Sequence, residues 1–138
     1  MKVLLDTNIL LAITPKRSKV RGCYDALRAG AYTLVVSTEI LEEYAEQLED
    51  FYSELFAESV MEELLNLDNI EFSSIFYRWN LITADPDDNK FVDAAIASNA
   101  DFIVTHDGHF RVLREIGFPN VVCLTLAEFE DALKTLKP

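Results

Sequence analysis

Several of the residues that mark specialised protein classes are scarce in this chain. It has two cysteines and two histidines in 138 residues. Cys23 and Cys123 stand far apart with no paired spacing, so neither a disulfide framework nor a zinc motif can be built from them. Two buried thiols in a reducing cytosol are the expectation, and with it a cytoplasmic location. Four glycines and four prolines leave little room for linkers or low-complexity segments. No apolar run approaches the ~20 residues that a transmembrane helix requires. The apolar start Val3-Leu4-Leu5 is ended by Asp6 before a secretory core can form, so no membrane is expected as a partner. Basic residues are also few, 12 against 24 acids, for a formal charge of −12. That balance argues against a general electrostatic binder of nucleic acid or anionic lipid. It leaves phosphate binding through a metal ion open.

Apolar residues are abundant, at 50% of the chain, enough for one packed core, and the length suits a single domain spanning residues 1–138. Charge is unevenly placed. Residues 1–28 hold six bases and two acids, whereas 29–77 hold twelve acids and neither Lys nor Arg. A basic group at Lys16, Arg17, Lys19 and Arg21 reads either as a solvated helix start or as a patch for phosphates. The acids of the middle segment read as the outer faces of amphipathic helices.

Short apolar runs alternate with helical periodicity. Strands are expected at Val3–Leu5, Tyr32–Val36, Phe102–Val104 and Val121–Leu124. Helices are expected from Ile9 to Ile13, Ser18 to Ala29, after a Ser37 or Thr38 cap, over Ser53–Leu67, from an Asp85-Pro86 start to Asn99, over Arg111–Ile116 and from Thr125 to Leu136. The stretch Phe72–Ile82 carries no clear periodicity. Such alternation predicts an α/β fold, a central parallel sheet of about four to five strands covered by helices on both faces. The functional crevice of such a sheet lies outside the carboxyl ends of its strands.

That placement turns scattered carboxylates into a group. Asp6 ends the first strand and Asp107 follows the third. Glu42 and Glu43 lie in the first turns of the helix after the second strand. Asp85, Asp87 and Asp88 open the helix before the third, with Asp93 further along it. Each alone could be an ordinary helix cap. Pressed together, they repel unless a cation neutralises them. An oxygen-only donor set suits Mg²⁺ or Mn²⁺ rather than zinc, and such an ion suits metal-assisted attack of water on a phosphodiester.

Four segments in order, Leu4-Leu5-Asp6-Thr7-Asn8-Ile9-Leu10, Ser37-Thr38-Glu39-Ile40-Leu41-Glu42-Glu43-Tyr44, Asp85-Pro86-Asp87-Asp88-Asn89-Lys90-Phe91 and Ile103-Val104-Thr105-His106-Asp107, resemble the PIN domain. The resemblance runs from residue 2 to about 130. It is nearest to the bacterial and archaeal branch of toxins in toxin–antitoxin pairs, similar to VapC-type toxins. It implies a three-layer α/β/α fold and a Mg²⁺- or Mn²⁺-dependent ribonuclease acting on RNA, with an antitoxin protein as partner and a homodimer as its assembly. It matches Asp6, Glu43 and Asp107 to the family's acids, and Asn8 and Thr105 to polar positions that orient them.

The family's third acid falls on Asn89, which carries no charge. Asp88 beside it, Asp93 one turn on and Asp85 one turn before are the alternatives, with Asn89 supplying a neutral oxygen and Asp88 ranked first. Lys16, Arg17 and Lys19 are expected to hold flanking phosphates. His106 and His109 read as surface-loop residues, and Phe76 and Trp79 as an aromatic cluster packed on the sheet. Phe51, Leu55 and Phe56 form a candidate dimer face. The competing reading is a PIN-like fold that binds metal or protein with little or no catalysis, which Asn89 favours.

Overall fold

The computed structural model describes residues 1–75, 77–82, 85–115 and 120–136. Its elements run β1 (Lys2–Leu5), α1 (Thr7–Ile13), α2 (Arg21–Arg28), β2 (Thr33–Val36), α3 (Thr38–Phe51), α4 (Glu54–Leu65) and β3 (Ile70–Phe72). They continue with a 3-10 turn (Pro86–Asp88), α5 (Asn89–Ser98), β4 (Phe102–Val104), a 3-10 segment (Gly108–Glu115), β5 (Cys123–Leu124) and α6 (Leu126–Thr135). The five strands form one parallel sheet in the order β3-β2-β1-β4-β5. From β1 the chain steps outward through β2 to β3, then returns across the sheet to β4 and β5. Right-handed crossovers place the helices of the two halves on opposite faces, which gives the expected three layers. The change of direction between β1 and β4 is the topological switch point.

β1, β2 and β4 are the buried centre. Val3, Leu4, Leu5, Leu34, Val35, Val36, Ile103 and Val104 have no exposed surface, as a sheet covered on both faces requires. The helices add Leu10, Ile13, Leu27, Ile40, Tyr44, Phe91 and Phe129 to the same core. Burial of such side chains contributes ~1.5–3 kcal/mol each before conformational entropy is set against it. Local signals set the element ends. The Ser37 and Ser53 side chains accept from the N–H groups of Ile40 and Phe56. Thr125 and Glu128 form a reciprocal capping box on α6. Gly30 follows α2 at φ +83°, a left-handed conformation that a side chain would strain.

Four expectations need correction. β3 was not anticipated: Ile70-Glu71-Phe72 is a three-residue edge strand with no buried side chain, so no apolar run announces it. The helix from Asp85-Pro86 divides into a 3-10 turn and α5, because the Asp85 carboxylate accepts from the N–H of Asp87 at 3.2 Å and tightens the first turn. α2 starts at Arg21 rather than Ser18, whose hydroxyl instead ties the preceding loop to the Ala12 carbonyl. The helix expected at Arg111–Ile116 is part of the 3-10 segment, with Ile116 outside the described residues.

Candidate active site

β1 and β4 pair in register at Leu5 and Val104, and the Asp6 N–H extends the ladder by donating to the Val104 carbonyl at 3.0 Å. Asp6 and Thr105 therefore leave the sheet side by side at the switch point. The Thr105 hydroxyl donates to Asp6 Oδ2 at 2.8 Å and accepts the Asp107 N–H at 2.9 Å, so one hydroxyl orients both acids. Asp6 occupies the cap position of α1, yet its carboxylate makes no capping bond. α3 brings Glu43 to the same place. Its neighbour Tyr44 is buried and donates its hydroxyl to the Leu5 carbonyl, which locks α3 against the end of β1. Glu43 then accepts from the Thr7 hydroxyl on one oxygen and from the Lys90 ammonium at 2.8 Å on the other. Asp88, in the 3-10 turn, has Oδ2 3.2 Å from His109 Nδ1, and Asp107 Oδ1 lies 3.1 Å from the same nitrogen.

These groups line a cleft of about 220 Å³ whose walls include Asp6, Glu43, Asp88 and Asp107, with Asp85, Asp87, Asn8 and Gln47 around them. Its electrostatics are those of charges crowded away from water. Burial pushes the Asp6 carboxyl above the usual range, the Thr105 hydroxyl opposes this, and the charges of Asp107 and Glu43 add to it. Burial likewise pushes Asp88 up to about 6; His109 opposes the rise, while Asp107, Asp85 and Asp6 add to it. Lys90, 7% exposed, bridges Glu43 and the Asp87 carboxylate, the latter at 2.9 Å. Burial would lower its pKa, but the two carboxylates hold it above the ordinary value, and Lys90 in turn holds Asp87 below. Three partly buried carboxylates from separate segments, with an imidazole between two of them, form a donor set that fits a divalent cation. Asp85, Asp88 and His109 offer ligand atoms that all lie within 4.8 Å of one another.

The PIN domain family matches residues 2–109, most of the chain. The chain belongs to the PIN domain family. No curated protein matches its sequence. Among solved structures, the chain shares its fold with VapBC2 from Rickettsia felis, a crystal structure bound to a DNA fragment from their promoter. Identity there is 23% and the TM-score 0.61, over 91% of this chain and 98% of that one. It also shares its fold with the T. brucei RRP44 PIN domain, at 15% identity and a TM-score of 0.53, over 96% and 80%.

In this PIN domain Asp6, Asn8, Glu43, Asp88 and Asp107 share the cleft, while Glu42 is exposed. Asp93 does not join them. It is 2% exposed, its Oδ1 accepts the Trp79 N–H at 3.0 Å, and burial pushes its carboxyl up. Its work is to hold the irregular segment before α5. Asn89 is likewise occupied elsewhere, since its side-chain amide closes on the N–H and carbonyl of Ile82 at 2.8 and 2.9 Å. It offers no oxygen to the cleft. Lys16, Arg17 and Lys19 lie beyond the far end of α1, about 10 Å along the helix from Asp6, exposed and in no ion pair among the described residues. Trp79 packs edge-on to Tyr77 at 4.8 Å, and Phe76 lies outside the described residues. Two site residues were missed from the sequence. Lys90 lies among acids in the sequence, and its i, i+3 spacing to Asp87 is the signal of their ion pair. His109 is no idle loop residue: it stands two positions after Asp107 and links that acid to Asp88.

Proposed function

We propose that this PIN domain is a ribonuclease that hydrolyses RNA phosphodiester bonds with bound Mg²⁺ or Mn²⁺, and that it is the toxin of a toxin–antitoxin pair. The observation that carries the reading is the meeting of Asp6, Asp88 and Asp107 with Glu43 in one cleft at the switch point, held there at an electrostatic cost to the folded chain. A divalent ion in that cleft supplies a more acidic bound water and offsets the charge of the scissile phosphate. Asp6, Asp88 and Asp107 are the side chains to hold it. Thr105 fixes the direction of Asp6, and Asn8 offers a neutral amide at the same mouth. Glu43, with its two oxygens held by Thr7 and Lys90, adds its charge to the edge of the same cleft. Lys16, Arg17 and Lys19 are free to hold phosphates of a strand that extends past α1. With a net charge of −12, RNA affinity then depends on the ion.

The shared fold with VapBC2 and the resemblance to VapC-type toxins support a cytoplasmic antitoxin partner, whose Lys or Arg would enter the acidic cleft. Phe51 and Leu55, 66% and 79% exposed at the turn between α3 and α4, support a homodimer. No helix among the described residues is long and apolar enough to cross a membrane. End-labelled RNA incubated with the pure protein and Mn²⁺ tests the activity: cleavage that EDTA stops and added Mn²⁺ restores supports it. A second reading, a metal-binding PIN module without catalysis, is favoured by one feature, the engagement of Glu43 by Lys90. Mn²⁺ binding without cleavage of any RNA would select it.

A further inference from the structure

The two sides of the cleft are built differently. On one side both Glu43 oxygens are taken, by the Thr7 hydroxyl and the Lys90 ammonium, and Lys90 also holds Asp87. That side carries its own fixed cation. On the other side Asp88, Asp107 and Asp85 face a single imidazole. His109 Nδ1 lies 3.2 Å from Asp88 Oδ2 and 3.1 Å from Asp107 Oδ1, and the His109 N–H also binds Asp107 Oδ1 at 2.9 Å, which fixes the loop that presents the ring. Neighbouring donors around a six-coordinate dication at ~2.1 Å are about 3.0 Å apart. His109 Nδ1 stands at that spacing from one oxygen of each carboxylate, and Asp85 brings a further oxygen within 4.8 Å of Asp88 and His109. The His109 side chain is 43% exposed, so a metal entering the cleft can take the place of the Nδ1 proton, which leaves to solvent while Nε2 keeps its own.

We propose that His109 is a nitrogen ligand of the cleft, completing with Asp88 and Asp107 a mixed nitrogen–oxygen site that selects a first-row transition-metal dication over Mg²⁺. Imidazole suits such ions, whereas Mg²⁺ favours oxygen donors and keeps its waters. This rests on the reading of the cleft as a metal site, not on RNA cleavage, and it places the selectivity in a residue outside the carboxylate set.

The test uses the full chain and the metal alone. Calorimetric titration with Mn²⁺ and with Mg²⁺ compares the wild type with His109→Ala, and pulsed EPR of the Mn²⁺ complex looks for coupling to a directly bound ¹⁴N. The proposal expects tighter Mn²⁺ than Mg²⁺ binding in the wild type. His109→Ala should weaken Mn²⁺ by about tenfold or more, comparable to losses at metal sites from supporting residues, and change Mg²⁺ by less than about twofold. A ¹⁴N coupling should be present in the wild type and absent in the variant. Equal loss of both metals, unchanged Mn²⁺ affinity, or a wild-type complex without ¹⁴N coupling overturns it. If the wild type binds neither cation, the metal reading of the cleft falls as well; if it binds both alike and still cuts RNA, only this inference falls.

Discussion

Asp88 and Asp93 lie on consecutive turns of one stretch of chain and face different surroundings. Asp88 looks across the cleft at His109 and Asp107, whereas Asp93 is consumed by the Trp79 N–H. Asp88→Asn should therefore weaken Mn²⁺ binding at least tenfold with little loss of stability, while Asp93→Ala should leave Mn²⁺ affinity unchanged and cost about 0.5–1.5 kcal/mol, the net worth of the lost hydrogen bond to the part-buried Trp79 N–H. Calorimetry and urea denaturation of the two variants read the contrast directly. Lys90→Met should remove about 1–3 kcal/mol from the metal-free protein by leaving the partly buried Glu43 without its cation, seen as a lower urea midpoint. Sequence order placed Asp6, Glu43 and Asp107 at strand ends and helix starts, which suffices to bring them together in a parallel sheet. It could not decide between Asp88 and Asp93, nor show that Asn89 turns away. Those outcomes depend on the irregular segment before α5, whose backbone at Trp79 and Ile82 claims both side chains.

Among the elements, α3 carries the most for the site. Its Ser37 cap, its stripe of Ile40, Tyr44 and Leu48, and the Tyr44 bond to Leu5 together aim Glu43. Ser37→Ala should cost about 1 kcal/mol, measured as a drop in the denaturation midpoint, with Mn²⁺ affinity largely kept because Tyr44 still anchors the helix. β1 and β4 were readable because a strand buried on both faces must be apolar throughout, and Asp6 and Thr105, still buried, mark where the apolar run stops. β3 was not readable, since an edge strand held by pairing with β2 needs no apolar signature. The 3-10 turn at Pro86–Asp88 escaped for a related reason. Propensity favours one helix from the Pro start, and the Asp85 carboxylate decides otherwise.

For the molecule as a whole, acidity is both a stability cost and a working feature. Asp88 holds its proton more tightly when folded, up to about pH 6. Between about pH 4 and 6 the folded state thus retains protons that the unfolded chain has shed, and stability falls as pH rises through that window. His109, raised by its bond to Asp88, adds to the same trend above its ordinary value. Urea midpoints of the metal-free protein should decline over this range, and the decline should flatten in Asp88→Asn and in saturating Mn²⁺, where binding to the folded state adds ~2.7 kcal/mol at a hundredfold excess over Kd. Asp6 is the acid on which the account turns, because it alone ends the central strand and is buried at 6% exposure with its charge disfavoured. The most direct measurement is Mn²⁺-dependent cleavage of labelled RNA by Asp6→Asn beside the wild type, with thermal melting of both proteins without metal. The account predicts cleavage lowered by at least about a hundredfold, ~2.7 kcal/mol at the transition state, in a variant that melts no lower than the wild type. Undiminished cleavage by Asp6→Asn would contradict it.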